Sequence, residues 1–143
     1  MNETYLMKHM GKVIIDIDWM DYNYGAASRN EDIACAATGR TLEEVKSGIV
    51  EAIQFHLEGM RAHGEEIPVE FQTEWEPEFI LTTRAMLRYS DNYITRKALS
   101  RETGIKEQQL SHYATGRKTP RPSTRQRITK GIESISQRLM LIL

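Results

Sequence analysis

The sequence predicts an α+β chain in two parts, a small β-β-β-α-β unit followed by an all-helical unit. Three observations carry this expectation: a period-two apolar pattern near the start, a capped helical stripe after Thr41, and a reversal of charge near residue 78. From Met1 to Glu78 the chain holds 6 Lys+Arg against 16 Asp+Glu, a balance of −10, and from Phe79 to Leu143 it holds 13 against 4, or +9. The total of −1 conceals the split. A basic module suits a polyanion, whereas an acidic module repels one and suits a cationic partner. Two domains with different tasks are therefore expected, at 1–77 and 78–143.

Each element has a local reason. In Lys12–Trp19, Val13, Ile15, Ile17 and Trp19 share one face and Asp16 and Asp18 the other, as in a half-buried strand. Tyr22–Ser28 reads as a second strand turned by Asp21–Asn23, and Ile33–Thr38 as a third. Thr41-Leu42-Glu43-Glu44 opens a helix with a capping box, in which Thr41 caps a free N–H and Glu44 reaches back to the Thr41 N–H. Val45, Ile49, Ala52, Ile53, Leu57 and Met60 follow at helical spacing, with Gly64 as the stop. Glu70–Trp75 reads as a returning strand, giving one helix on one sheet. The acidic run Glu74, Glu76, Glu78 with Pro77 reads as a linker. Everything beyond it reads as helical, punctuated by Gly104, Gly116, Pro120 and Pro122.

Composition sets further limits. Hydrophobic residues make up 40% of the 143, enough for a core, but each part alone is small. No stretch approaches the roughly 20 apolar residues of a membrane span, and the N-terminal MNETYLMKHMGK lacks a signal-peptide core. The one cysteine, Cys35, excludes an internal disulfide and fits a reducing compartment, so a cytoplasmic location is expected.

In the basic part, Thr95–Tyr113 has the spacing of a helix-turn-helix. Thr95 caps the first helix, Leu99 points inward, Ser100 permits a close crossing, and Gly104 supplies a left-handed turn. Ile105, Leu110 and Tyr113 fill the angle between the two helices. The second helix then exposes Lys106, Glu107, Gln108, Gln109 and His112, where Gln suits adenine and Glu suits cytosine in a major groove. Arg117, Lys118 and Arg121 follow at its exit, placed for phosphates, with Thr95 and Arg96 at the start of the first helix. This pattern resembles the helix-turn-helix of the phage-repressor class over about Leu81 to Ile135, with Lys106 standing where a Ser or Thr cap is common. Ile128, Ile132, Ile135, Leu139 and Ile142 recur at heptad-like steps. Ile128 and Ile132 suit the domain's own core, while Leu139 and Ile142 suit a second subunit. A dimer would set two recognition helices about one DNA turn apart.

The acidic part offers few catalytic candidates. Asp16, Asp18 and Asp21 suggest a carboxylate metal site, but no distant carboxylate is identifiable as a partner. Cys35 reads as a small core residue. His9, His56, His63 and His112 lack zinc-ligand spacing, and no glycine-rich phosphate loop occurs. Catalysis, metal ions and cofactors are not expected.

Cys35-Ala36-Ala37-Thr38-Gly39-Arg40-Thr41-Leu42-Glu43-Glu44-Val45 resembles the strand-to-helix signature of the HicB-family antitoxins. Ala52, Leu57, Gly64 and Glu66-Ile67-Pro68 continue the similarity, which with the helix-turn-helix covers about Lys12 to Ile135. The resemblance implies a non-catalytic, ribonuclease H-like N-terminal domain that occludes a small basic RNase toxin. It also implies a C-terminal domain that represses the toxin–antitoxin operon by binding double-stranded operator DNA as a homodimer or higher even oligomer. The alternative expectation is a stand-alone helix-turn-helix regulator whose N-terminal domain senses a ligand or oligomerises.

Overall fold

The computed structural model describes residues 11–143. The reading of Met1–Met10 as lacking a signal peptide lies outside the described residues. The chain is mixed α+β and divides into two compact units, 1–81 and 82–143. No helix among the described residues is long and apolar enough to cross a membrane.

The first unit contains β1 (Gly11–Trp19), β2 (Tyr24–Ser28), β3 (Ala36–Gly39), helix α1 (Leu42–Ala62) and β4 (Trp75–Leu81). The sheet order is β3-β2-β1-β4, with β4 parallel to β1 and the other pairs antiparallel. The alternation in β1 holds: Val13, Ile15 and Ile17 are buried, while Asp16 and Asp18 face the other way. Against the buried face, α1 packs Val45, Ile49, Ile53 and Leu57, each at most 1% exposed. Burial of such side chains stabilises by about 1.5–3 kcal/mol each, so this stripe holds the unit together.

Helix α1 begins as expected at Thr41, whose hydroxyl accepts from the Glu44 N–H at 3.1 Å. The second half of the box differs, because the Glu44 carboxylate accepts from the Arg40 N–H at 3.0 Å rather than from Thr41. An extended Thr41 brings the preceding amide within reach, and the free N–H is satisfied one residue earlier. At the other end Gly64 has φ +67°, its N–H bonding to Arg61 and that of Glu65 to Met60, a Schellman stop.

Three boundaries depart from expectation. Strand β2 starts at Tyr24, because Asp21 at φ +70° and a Met20 N–H bond to the Asn23 carbonyl make Tyr22 part of the turn. Before β3, Glu31–Ile33 form a single 3-10 turn capped by the Asn30 side chain, so the third strand starts at Ala36. The returning strand lies later than Glu70–Trp75, since Val69–Phe71 make another 3-10 turn and β4 runs Trp75–Leu81. The supposed linker is thus the strand itself. Its alternation places Glu76 and Glu78 outward beside Lys12 and Ile14, and Pro77 is tolerated because, among the described residues, β4 pairs on one side only. The division moves from 77/78 to 81/82 accordingly.

The second unit has four helices: α2 (Thr83–Ser90), α3 (Arg96–Thr103), α4 (Glu107–Ala114) and α5 (Pro122–Met140). Thr82 and Thr95 cap α2 and α3, and Pro122 occupies the first turn of α5. Leu87, Leu99, Ile105, Leu110, Tyr113, Ala114 and Ile128 form the core, with Ile132 and Ile135 half-buried against it. Gly131 lets α5 approach α3, since a Cβ there would lie 2.4 Å from Thr103 Cγ2. Further along, Glu102 of α3 accepts from Ser134 and pairs with Arg138 of α5. The Ser134 hydroxyl, followed by Arg138, holds the Glu102 carboxyl below its ordinary range. The heptad register stops early: α5 ends at Met140, so Ile142 lies beyond the helix.

Two glycines on helices should respond oppositely to alanine. Gly131→Ala should cost about 1–3 kcal/mol through overpacking, despite better helix propensity. Gly59, with nothing within 4 Å of an added Cβ, should gain about 0.5–1 kcal/mol on becoming Ala. Thermal denaturation of the two variants checks both signs.

Candidate functional site

Helices α3 and α4 are joined by a turn that several hydrogen bonds fix. The Thr95 hydroxyl accepts from the Ala98 N–H at 3.0 Å, which starts α3. At its end Gly104 adopts φ +74° and its N–H bonds to the Ser100 carbonyl at 2.8 Å. The Thr103 hydroxyl donates to the Leu99 carbonyl and accepts from the Ile105 N–H, while Ser100 donates to the Ile105 carbonyl. From α5, Arg127 donates to the Thr103 carbonyl at 2.7 Å. These bonds satisfy the Leu99, Ser100 and Thr103 carbonyls of α3, the Gly104 N–H and the Ile105 backbone, so α4 projects from a fixed corner.

The ten residues singled out as nucleic-acid contacts fall into two groups. Thr95, Lys106, Glu107, Gln108, Arg117, Lys118 and Arg121 are exposed. Lys106 caps α4 with backbone alone, making no side-chain cap bond, which leaves the amides of the opening turn and the lysine charge at one end. Arg117 and Lys118 follow Gly116, which has φ +77°, and Arg121 precedes α5.

The other three are half-buried. Gln109 donates to the Tyr113 hydroxyl at 2.8 Å. His112 has a buried Nδ1 with no hydrogen-bond partner among the described residues. Arg96 donates twice to Asp91, at 3.1 and 2.7 Å, and once to the Ser111 hydroxyl at 2.9 Å. Its guanidinium therefore ties the loop before α3 to α4, a planar bidentate arrangement that suits Arg and not Lys. The Asp91 partner five residues upstream is legible as a charge pair, but Ser111 is brought in only by the packing of α4.

In the first unit, Asp16 and Asp18 are separately engaged. Arg29 donates to Asp16, with Nε to Oδ2 at 2.9 Å, and Asp18 accepts from the Trp19 N–H at 2.8 Å. The Arg29 hydrogen bond holds the Asp16 carboxyl below its ordinary range. The Asp16–Arg29 contribution is thus present above the ordinary carboxylate range and fades as pH falls through the lowered value. It is small, because both side chains are about half exposed. Among the described residues no group of three or more His, Cys, Asp or Glu is placed to hold a metal ion. Cys35 is half-buried, its thiol near the Ala52 carbonyl at 3.8 Å, and burial raises its pKa.

Several exposed apolar residues, Met20, Phe55, Val69 and Tyr93, have no place in the sequence reading. Phe55 is 78% exposed in the middle of α1, off the buried Val45–Ile49–Ile53–Leu57 stripe. An aromatic two residues out of register with that stripe was the available signal. The apolar end of the chain is exposed as well, with Leu139 at 54% and Ile142 at 80%.

Comparison with protein families, with curated proteins and with solved structures found no match to the chain.

The Arg96 geometry makes a prediction that separates a strut from a phosphate contact. Arg96→Ala should lower the stability of the helical unit by about 1–3 kcal/mol, and Arg96→Lys should recover little of it. Chemical denaturation reads both, and an unchanged midpoint in Arg96→Ala would show that the Asp91–Arg96–Ser111 link carries nothing.

Proposed function

We propose that this protein is an antitoxin with two separate binding activities. Its first unit occludes a small, basic, co-encoded RNase toxin, and its second binds operator DNA and represses the operon that encodes both. The observation that carries the proposal is a coincidence of boundaries. The charge reverses between Glu78 and Arg84, and the fold divides at Leu81, within that interval. An RNase must hold phosphates and so tends to be basic; a unit at −10 competes for that surface and speeds encounter by steering. Occlusion needs no catalysis, and none is proposed here.

Local geometry supports the reading in three places. A three-strand antiparallel meander, followed by a helix and a strand parallel to the first, is compatible with the ribonuclease H-like fold that the resemblance implies. Two eight-residue helices, α3 and α4, joined through a left-handed Gly104, support the helix-turn-helix reading. The exposed opening of α4 carries Gln108, the side chain best placed to read a base edge, with Gln109 and His112 as supporting contacts. Arg117, Lys118 and Arg121 are free to hold phosphates. Leu139 and its apolar neighbours make a homodimer the natural DNA-binding form. A cytoplasmic site of action follows from this role.

A second reading has its own observation. A cavity of about 460 Å³ in the first unit is lined by Lys12, Ile14, Arg29, Asn30, Asp32 and Glu70 among others. It suits a regulator whose first unit senses a small polar ligand.

The antitoxin reading is tested by co-expression. The protein should restore growth to cells expressing the small basic RNase encoded beside it, and should form a complex with that RNase that weakens as salt rises. Rescue should persist in Asp16→Asn. Failure to bind or rescue sinks the reading in favour of the ligand-sensing regulator.

DNA binding is tested on the protein's own promoter, where an inverted repeat with half-sites about one helical turn apart is expected. Gln108→Ala should cost about 1–3 kcal/mol and relax preference at one base position. Arg117→Ala should weaken all sequences alike and flatten the salt slope by about one. Deleting residues 139–143 should weaken binding chiefly at low protein concentration. A footprint with unchanged sequence preference after Gln108→Ala and Gln109→Ala would show that α4 does not read bases.

A further inference from the structure

Helix α1 buries one stripe and turns another toward solvent, and at the centre of the solvent stripe stands Phe55. A phenyl ring left 78% exposed gains nothing from its own fold. Helical spacing puts Glu51 one turn before it and Glu58 one turn after, on the same face. Neither carboxylate makes a hydrogen bond or ion pair with another described residue. Of the two basic residues of α1, Lys46 lies over the Phe79 ring at 5.0 Å, and Arg61, three residues after Glu58, makes no ion pair with it. Gly59, one turn beyond Phe55, is also exposed, and a side chain there would meet nothing within 4 Å. Glycine weakens a helix interior, and packing within the described residues gives no reason for it here. It leaves a low step beside the ring where a partner's backbone can come close.

Charge selects the occupant. Glu51 and Glu58, in a unit at −10, repel nucleic acid, anionic membrane and a second copy of the same unit. Glu51, Phe55 and Glu58 line neither described cavity, and an exposed helix face suits a protein surface rather than a small molecule. An aromatic flanked by carboxylates suits a guanidinium or ammonium group, which can lie on the ring while pairing with Glu51 or Glu58. Aromatic anchors of this kind commonly dominate interface energetics.

We infer that the solvent face of α1, centred on Phe55 between Glu51 and Glu58, is the docking surface for the basic protein partner. A cationic side chain of the partner lies on the Phe55 ring, and its backbone approaches at Gly59. The inference rests on the antitoxin reading and specifies where in the first unit occlusion takes place.

The test measures affinity of the full-length chain for the small basic RNase encoded beside it, by calorimetry at two salt concentrations. Phe55→Ala and Gly59→Arg should each weaken binding at least tenfold while thermal denaturation shows the fold retained, and Phe55→Tyr should bind within about threefold of the parent. Glu51→Lys with Glu58→Lys should weaken binding further and flatten its salt dependence, more than the matched reversal Glu66→Lys with Glu74→Lys. If the parent binds and Phe55→Ala and Gly59→Arg bind equally well, the docking surface lies elsewhere and the antitoxin reading stands. Equal losses from both pairs of charge reversals would likewise overturn the local claim, since net charge alone would explain them. If the parent itself does not bind, both readings fall.

Discussion

Charge of one sign cannot be concentrated without mutual repulsion, and this chain concentrates both signs, each in its own unit. The two units meet that constraint differently. In the first, the glutamates of β4 lie on the outward side of an edge strand, where they also discourage pairing with other strands. Arg29 holds Asp16, and most remaining carboxylates are left to solvent. In the second, much of the positive charge is set against backbone carbonyls and hydroxyls at helix ends. Arg88 donates to the Ala114 carbonyl, Arg127 to that of Thr103, and Arg125 to the Thr83 hydroxyl. The Ala114 and Thr103 contacts complement the negative ends of α4 and α3, and the one from Arg127 fixes the corner between those helices. Among the cations not used this way, Lys106 precedes α4 and Arg117, Lys118 and Arg121 follow it, while Lys97, Arg101 and Lys130 stay exposed on α3 and α5. The distribution that keeps the bundle together thus also selects which charges are available to a polyanion.

Much of this was legible in the sequence because it rests on local rules. Thr41 and Thr95 cap helices through their own hydroxyls, and Gly64, Gly104 and Gly116 occupy left-handed positions that side chains resist. The β1 alternation and the α1 stripe follow from periodicity alone. What was not legible depends on partners far along the chain. Pro77 and its flanking glutamates resemble a linker until β1 is present to pair with them, because an edge strand tolerates residues that a central strand excludes. Arg96 resembles a free cation until α4 brings Ser111 to it. The spacing of Glu44 suits closure on Thr41, but the extended approach of the chain offers it the Arg40 amide instead. Ile142 continues a heptad in sequence but falls after α5 has ended.

The candidate site divides along the same line. Identities of exposed residues such as Gln108 and Lys118 could be read from spacing, since a helix-turn-helix pattern dictates its surface positions. Commitments of Gln109 to Tyr113 and of Arg96 to Ser111 could not, since they are choices among rotamers made by packing. Phe55 lay between these cases, visible as an apolar residue off the buried stripe but without meaning until its exposure and the empty space at Gly59 were known.

The central claim is that opposite charge on two units serves two bindings that do not compete. Mass measurement of single particles in a mixture of the full-length protein, its promoter duplex and the proposed basic RNase partner tests it most directly. The account predicts a ternary species containing all three, formed without displacing either ligand at moderate salt. Particles holding DNA or RNase but never both, at saturating concentrations of each, would contradict it.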